Sequence, residues 1–134
     1  MRILALIVFA LHTLLEALFG ANAMVSGTFS WQSAEQFPEH AAQLSISARF
    51  LGAALLGLAA LGALVLLTDG VRSVLAMRVA LILAIFHTVG VFGVLLTAMS
   101  APEIMAITNT IGALVIHAAL ALDFIALLLG PRDS

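Results

Sequence analysis

Four long apolar runs constrain the fold of this chain more than any other feature. They lie at about residues 3–23, 44–67, 74–98 and 104–129. A helix needs about 20 apolar residues to cross a hydrocarbon core about 30 Å thick, and open strands would leave backbone groups unpaired in lipid. The sequence therefore predicts an all-α, integral membrane, antiparallel four-helix bundle that forms a single domain over residues 1–134, with an external loop at about residues 24–43.

The composition supports a membrane location and excludes several classes of chemistry. Hydrophobic residues make up 63% of the 134 residues and charged residues only 9%, far from the balance of a soluble domain. The chain has no cysteine, which excludes disulfides, thiolate metal sites and the dithiol chemistry of vitamin K reductase and DsbB-type proteins. No basic patch is present, so we expect no nucleic-acid partner.

The ends of the runs carry recognisable helix signals. Pro38-Glu39 predicts a helix start, because proline fits the first turn and an acid there complements the helix dipole. Pro102-Glu103 predicts another start of the same kind. Asp69-Gly70 ends the second helix, and Ser73 is an expected N-cap for the third. The short connections predict antiparallel neighbours.

The first run has a second interpretation as a cleaved signal peptide. Arg2 precedes it, and Ala21-Asn22-Ala23 fits the small-residue cleavage pattern. His12 and Glu16 would interrupt the apolar region of such a peptide. We therefore expect the segment to be retained as the first spanning helix.

The arginines predict the orientation of the bundle, since cytoplasmic loops carry an excess of positive charge. One side holds Arg2, Arg72, Arg78 and Arg132, and the other holds Glu35, Glu39 and Glu103. Both termini are therefore expected in the cytoplasm, with the chain as a multi-pass membrane protein. All five basic residues are arginine and none is lysine, which favours a bacterial source and so the inner membrane. Phe29, Trp31 and Phe37 in the external loop are typical of headgroup-level residues.

Three histidines are expected at one depth. His12, His87 and His117 each lie near the middle of their runs, and Glu16 follows His12 by one helical turn on the same face. Ionisable side chains at this depth are costly and call for partners or a function.

Counting the rise per residue suggests two ion pairs that bracket the histidines. Glu16 lies about 6 Å to the outer side of the middle and Arg49 roughly 10 Å, within side-chain reach of each other. Asp123 and Arg78 lie roughly 9 and 12 Å to the inner side. We expect Glu16 to pair with Arg49, and Asp123 to form a structural ion pair with Arg78.

The residues alone leave several roles open. Glu16 and Arg49 form either a clamp between helices or a ligand-facing site. The three histidines are neutral core residues, haem or chlorin ligands, or, with Glu16, metal ligands. Candidate catalytic groups are Glu16 and His12, and candidate metal ligands are His12, His87 and His117.

One short segment resembles a known family. Ser47-Ala48-Arg49-Phe50-Leu51-Gly52, followed by Ala53 to Gly57, resembles the arginine-plus-glycine opening of helix two in small bacterial DoxX-like four-helix membrane proteins. The length, the four runs and the long first loop also look like that family. The resemblance implies an association with quinone-linked and redox-stress membrane complexes, and Arg49 is the residue it carries over.

Three functions follow as expectations. The first is a binding or accessory protein that holds a quinone, lipid or isoprenoid through Arg49, Glu16, His12, His87 and His117. The second is a redox subunit with histidine-ligated haem or chlorin, and the third is a small membrane enzyme that uses Glu16 and His12 for acid-base chemistry. The partners expected are the lipid bilayer, a small hydrophobic ligand, and a homo-oligomer or larger membrane complex. Small residues spaced four apart on the second helix suit either packing or oligomerisation.

Overall fold

The computed structural model describes residues 2–28, 38–68, 70–71, 73–100, 102, 105 and 108–130. The regular structure in these residues is helical. Helix α1 spans Arg2–Ser26, α2 spans Ala41–Leu67, α3 spans Val74–Ser100 and α4 spans Thr108–Leu129, with a single 3-10 turn at Pro38–His40 before α2. Each of the four α-helices is long and apolar enough to cross a membrane. The prediction of an all-α chain with four such helices is confirmed.

The helix boundaries agree with the sequence signals at Ser73 and at Gly70, and Gly27 ends α1 in a similar way. The Ser73 hydroxyl accepts a hydrogen bond from the Ala76 backbone N–H at 3.0 Å, so Ser73 caps α3 as predicted. Gly70 has a φ of +78°, and Gly27 has a φ of +66°. The Gly27 N–H also donates to the Ala23 carbonyl at 3.0 Å, which closes the last turn of α1 in the left-handed geometry that glycine adopts without strain.

The start of α4 differs from the prediction. The regular helix begins at Thr108, four residues later than the expected boundary at 104. The sequence there reads Thr108-Asn109-Thr110, and these residue types favour helix starts over helix interiors because their side chains compete for backbone hydrogen bonds. Residues 103 and 104 lie outside the described residues.

The chain forms two compact units, Ala10–Leu64 and Met1–Phe9 with Val65–Ser134. In the first unit, α1 and α2 run antiparallel, because Gly20 lies against Gly52 while Thr13, earlier in α1, lies against Gly62, later in α2. Because glycine has no side chain, the backbones of α1 and α2 approach each other closely at these positions.

In the second unit, α3 packs along α4, and the beginning of α1 joins them. Its core contains the fully buried rings of Phe9 and Phe124, whose centroids lie 5.4 Å apart with an edge-to-face arrangement. Leu83 of α3 and Leu120 of α4 are also buried in this core.

Many large apolar side chains point outward along all four helices. Ile3, Leu67, Phe92 and Leu129 are examples, with most of their surface exposed. Such extended apolar surface is unfavourable in water and is matched by lipid chains in a membrane.

Candidate functional site

His12 and Glu16 form a buried polar pair on α1. The helix places them one turn apart, and His12 Nδ1 lies 3.9 Å from Glu16 Oε1. The exposed fraction is 0% for His12 and 5% for Glu16, although the surrounding helix is almost entirely apolar. The predicted one-face arrangement of this pair is confirmed, and both groups are shielded from the surroundings.

A contact with α2 determines which nitrogen of His12 carries a proton. His12 Nε2 lies 3.3 Å from the backbone oxygen of Leu58. A carbonyl oxygen can only accept, so Nε2–H is the donor. In the neutral ring, Nδ1 is then an acceptor that faces the Glu16 carboxyl group. At 3.9 Å the two groups are too far apart for a direct hydrogen bond, so they attract each other electrostatically when His12 is protonated and Glu16 is ionised.

Gly62 makes this contact possible. A Cβ at Gly62 would lie 3.2 Å from His12 Cδ2 and would overlap with the Thr13 hydroxyl. Without a side chain at position 62, α1 approaches closely enough for His12 to reach the α2 backbone. The Thr13 hydroxyl oxygen is itself buried and has no hydrogen-bond partner within the described residues.

Arg49 does not lie beside Glu16, so the predicted ion pair between them is not made. Its guanidinium group lies next to Gly27. A Cβ at Gly27 would lie 3.3 Å from Arg49 Nε. Gly20 lies against Gly52, which places position 49 about two turns beyond Glu16 along α1. The Arg49 side chain is exposed and extends further toward the end of the helix pair, as long basic side chains commonly do.

His87 and His117 meet directly between α3 and α4. His87 Nδ1 lies 2.9 Å from His117 Nδ1, a short hydrogen bond in which one ring must donate and the other accept. His87 is fully buried, whereas His117 is partly exposed. The expectation that these two midplane histidines lie at the same level is confirmed.

Aromatic rings and a glycine surround this histidine pair. Phe86 makes edge-to-face contacts with both imidazoles, at centroid distances of 5.1 and 5.8 Å. The ring of Phe124 is parallel to that of His87 within 5°, at 6.0 Å. A Cβ at Gly90 would lie 3.0 Å from His117 Nδ1, so the absence of a side chain there lets the ring lie over α3.

The geometry of the pair bears on two of the expected ligands. Two imidazoles that hold one haem must face the iron from opposite sides of the macrocycle, and nitrogens 2.9 Å apart leave no space for it. A tetrahedral zinc with Zn–N bonds of 2.0–2.1 Å would hold two nitrogens about 3.3 Å apart. The placement of His87 and His117 therefore fits a hydrogen-bonded pair better than either group. Metal binding by His12, His87 and His117 stays a prediction.

The second expected ion pair is also not made. Arg78 is exposed near the start of α3 and Asp123 is half-buried on α4, and no salt bridge joins them among the residues that the structure describes. Counting residues gave similar depths for the two, but depth leaves the direction of a side chain around the helix undetermined.

Several expectations fall outside the described residues. They concern the aromatic residues Phe29, Trp31 and Phe37, the charges of Glu35, Asp69 and Glu103, and Arg72 and Arg132.

Sequence reasoning missed five side chains and glycines that shape the two polar pairs. These are Thr13, Gly62, Phe86, Gly90 and Phe124. Thr13 had a usable signal, because it follows His12 directly in an apolar helix. Gly62 and Gly90 had none, since glycine is common in membrane helices and only the packing shows which glycine faces a histidine.

Comparison with protein-family models, with curated proteins and with solved structures finds no match for this chain.

Proposed function

We propose that this chain is a multi-pass protein of the bacterial inner membrane, an antiparallel four-helix bundle with both termini in the cytoplasm, that holds a small hydrophobic molecule by its polar end. Four apolar helices of sufficient length support the membrane location. Arg2 and Arg78, near the ends that the positive-inside rule assigns to the cytoplasm, support the orientation. The DoxX-like resemblance of the segment around Arg49 is in keeping with this architecture.

The observation that carries the binding function is the Thr13 hydroxyl. It is buried without a hydrogen-bond partner in the described residues, and it directly follows His12 of the buried His12–Glu16 pair. Nearly all buried polar groups in proteins have a partner, because an unsatisfied one costs about 1–3 kcal/mol. A hydroxyl, an imidazole and a carboxyl group within one turn of an apolar helix suit the carbonyl or hydroxyl end of a quinone, lipid or isoprenoid.

Arg49 has a different place in this proposal from the one its sequence position indicated. Its guanidinium lies beside Gly27 at the end of α1, two turns from Glu16. We therefore assign the polar end of the ligand to Thr13, His12 and Glu16. Arg49 is suited to lipid phosphates at the membrane surface.

A ligand inventory tests the binding function. The protein is extracted in mild detergent, and its bound small molecules are identified by mass spectrometry for the wild type and for Thr13→Val. The variant keeps the shape of threonine but lacks the hydroxyl, so we expect at least a tenfold loss of ligand at unchanged helix content. Thr97→Val is the matched control, because the Thr97 hydroxyl already donates to the Gly93 carbonyl at 2.9 Å.

The stability of Thr13→Val shows whether the hydroxyl binds a ligand. If the Thr13 hydroxyl has no ligand, removing it relieves an unsatisfied buried group, and Thr13→Val should be as stable as the wild type or more stable. Equal ligand content in Thr13→Val and the wild type would refute the proposal. A Soret band in the absorption spectrum of the same sample would favour a haem subunit instead.

The topology has its own test. Reporter domains that are active only in the cytoplasm or only outside it are fused after Ser134 and, separately, within the segment between α1 and α2. We expect cytoplasmic activity at the C-terminus and external activity in the segment. The reverse pattern would overturn the orientation and leave the binding function untouched.

An acid-base enzyme is the second candidate, and the proton arrangement of His12 favours it. Nε2–H donates to Leu58, which leaves Nδ1 as the nitrogen that faces Glu16, and a substrate group that lies between them can exchange a proton with either. Glu16→Gln removes that ability while keeping the size of the side chain. An enzyme would accumulate unreacted substrate in Glu16→Gln, and the inventory would show a different molecule from that in the wild type. A pure binding protein would show the same molecule in both.

A further inference from the structure

We propose that His87 and His117 form a proton relay that passes one proton at a time between α3 and α4. This inference rests on the hydrogen bond between them. Two identical atoms, both Nδ1, face each other at 2.9 Å. Because one must donate and the other accept, the two rings are held in opposite tautomers.

The opposite tautomers define the relay chemically. The ring that donates from Nδ1 has a bare Nε2, and the ring that accepts at Nδ1 carries its proton on Nε2. A proton that binds the bare Nε2 turns the first ring into imidazolium, and its Nδ1 proton then crosses the 2.9 Å bond to the second ring. The second ring releases its Nε2 proton. One proton has entered, one has left, and both rings are neutral again with their tautomers exchanged.

The exchange of tautomers makes the relay reversible. After one transfer the first ring has no bare Nε2, so the next proton must enter from the other side unless a ring turns. Phe86 at the edge of both rings and Phe124 parallel to His87 restrict such a turn. The pair therefore alternates its direction and never holds more than one additional proton during a transfer.

The burial of the two rings gives the relay an outer and an inner end. His117 is partly exposed, and Gly90 allows it to lie flat over α3. His87 is fully buried, with an exposed fraction of 0%. His117 is thus the member nearer the surface of the unit, and His87 is the member nearer its core.

Nitrogen NMR of the full-length protein with 15N-labelled histidine, in lipid nanodiscs, tests the relay. Relay exchanges the tautomers, so we expect Nδ1 and Nε2 of both rings to show resonances averaged between protonated and bare nitrogen. In His117→Asn, the amide lies where Nδ1 was and keeps a hydrogen bond to His87, but it has no second nitrogen to pass a proton on. The His87 nitrogens should then separate into one protonated and one bare resonance, and exchange of the ring proton with water should slow at least tenfold.

Two controls make the result decisive. His40→Asn changes the exposed histidine beside Glu39 and should leave the His87 resonances averaged. Amide exchange at buried Leu83 on α3 should be the same in the wild type and in His117→Asn, which shows that the helix has not opened. Fixed tautomers in the wild type, or averaging that persists in His117→Asn with Leu83 protected, would overturn the proposal.

Discussion

Gly20 and Gly52 lie face to face where α1 crosses α2, so close that a Cβ on either would come within 3.0 Å of the other residue's carbonyl oxygen. This contact determines the register of the two helices. It places Leu58 opposite His12 and carries Arg49 past Glu16 toward Gly27. The glycine crossing thus decides which polar groups on the two helices meet.

Gly52→Ala should separate α1 from α2. The added methyl would lie 2.8 Å from Gly20 O and 2.9 Å from Met24 N, and backbone atoms cannot move aside as a flexible side chain can. We expect a loss of about 1–3 kcal/mol in the free energy of unfolding, the usual range for overpacking, measured by denaturation in detergent micelles.

Gly57→Ala is the matched control on the same helix. A Cβ at Gly57 meets nothing within 4 Å, and alanine is favoured over glycine in a helix by about 0.5–1 kcal/mol. The control should be as stable as the wild type or more stable. If both variants lose stability equally, the Gly20–Gly52 crossing does not set the register.

His12 should tolerate glutamine better than asparagine. The glutamine amide reaches the position of Nε2 and can still donate to the Leu58 carbonyl, whereas the asparagine amide stops at the position of Nδ1. We expect the free energy of unfolding of His12→Asn to be about 0.5–1.5 kcal/mol lower than that of His12→Gln. The same two substitutions at exposed His40 should not differ, and a similar difference there would point to a general effect of side-chain length.

Phe124→Ala should be among the most destabilising substitutions in the unit of α3 and α4. The Phe124 ring is fully buried, packs against Phe9 and lies parallel to His87. Truncating a buried phenylalanine costs about 3–5 kcal/mol through lost contacts and the cavity left behind. Phe92→Ala removes the same ring from an exposed position on α3 and should change the unfolding free energy by less than about 0.5 kcal/mol.

Ser73→Ala should weaken the start of α3. The variant loses the acceptor for the Ala76 N–H, and losing such a cap costs about 1 kcal/mol. Ser73→Asp should retain the stability, since a carboxylate also accepts this bond and complements the helix dipole. Thermal unfolding followed by circular dichroism compares them, and equal losses in both variants would contradict a capping role.

The sequence was sufficient for the helices, for the common face of His12 and Glu16, and for the common level of His87 and His117. Hydropathy predicts the four helices because each apolar run matches the thickness of a membrane. His87 and His117 could be expected at one level because both lie in the middle of neighbouring, antiparallel runs. Ser73 could be identified as a cap because this side chain acts on the backbone of its own helix.

The remaining features depend on rotation and register, which a count along the chain does not contain. Glu16 and Arg49 have similar expected depths, yet the register set by the two glycines places them two turns apart. Arg78 and Asp123 fail to pair for a related reason, since each helix can turn about its axis without changing the depth of either residue. The position of Thr13 directly after His12 in an apolar helix marks it as a candidate, but only the packing shows that its hydroxyl is buried without a partner among the described residues.

The acceptor that α2 offers to His12 is a backbone oxygen, so it belongs to no particular residue type. Any amino acid at position 58 that maintains the helix presents the same carbonyl, and substitutions of Leu58 cannot delete it. Substitutions therefore disrupt this contact mainly at His12, which donates the hydrogen bond, and at Gly62, whose lack of a side chain lets α1 approach α2. In a set of related sequences, position 58 should drift freely among apolar residues while positions 12 and 62 change together or not at all.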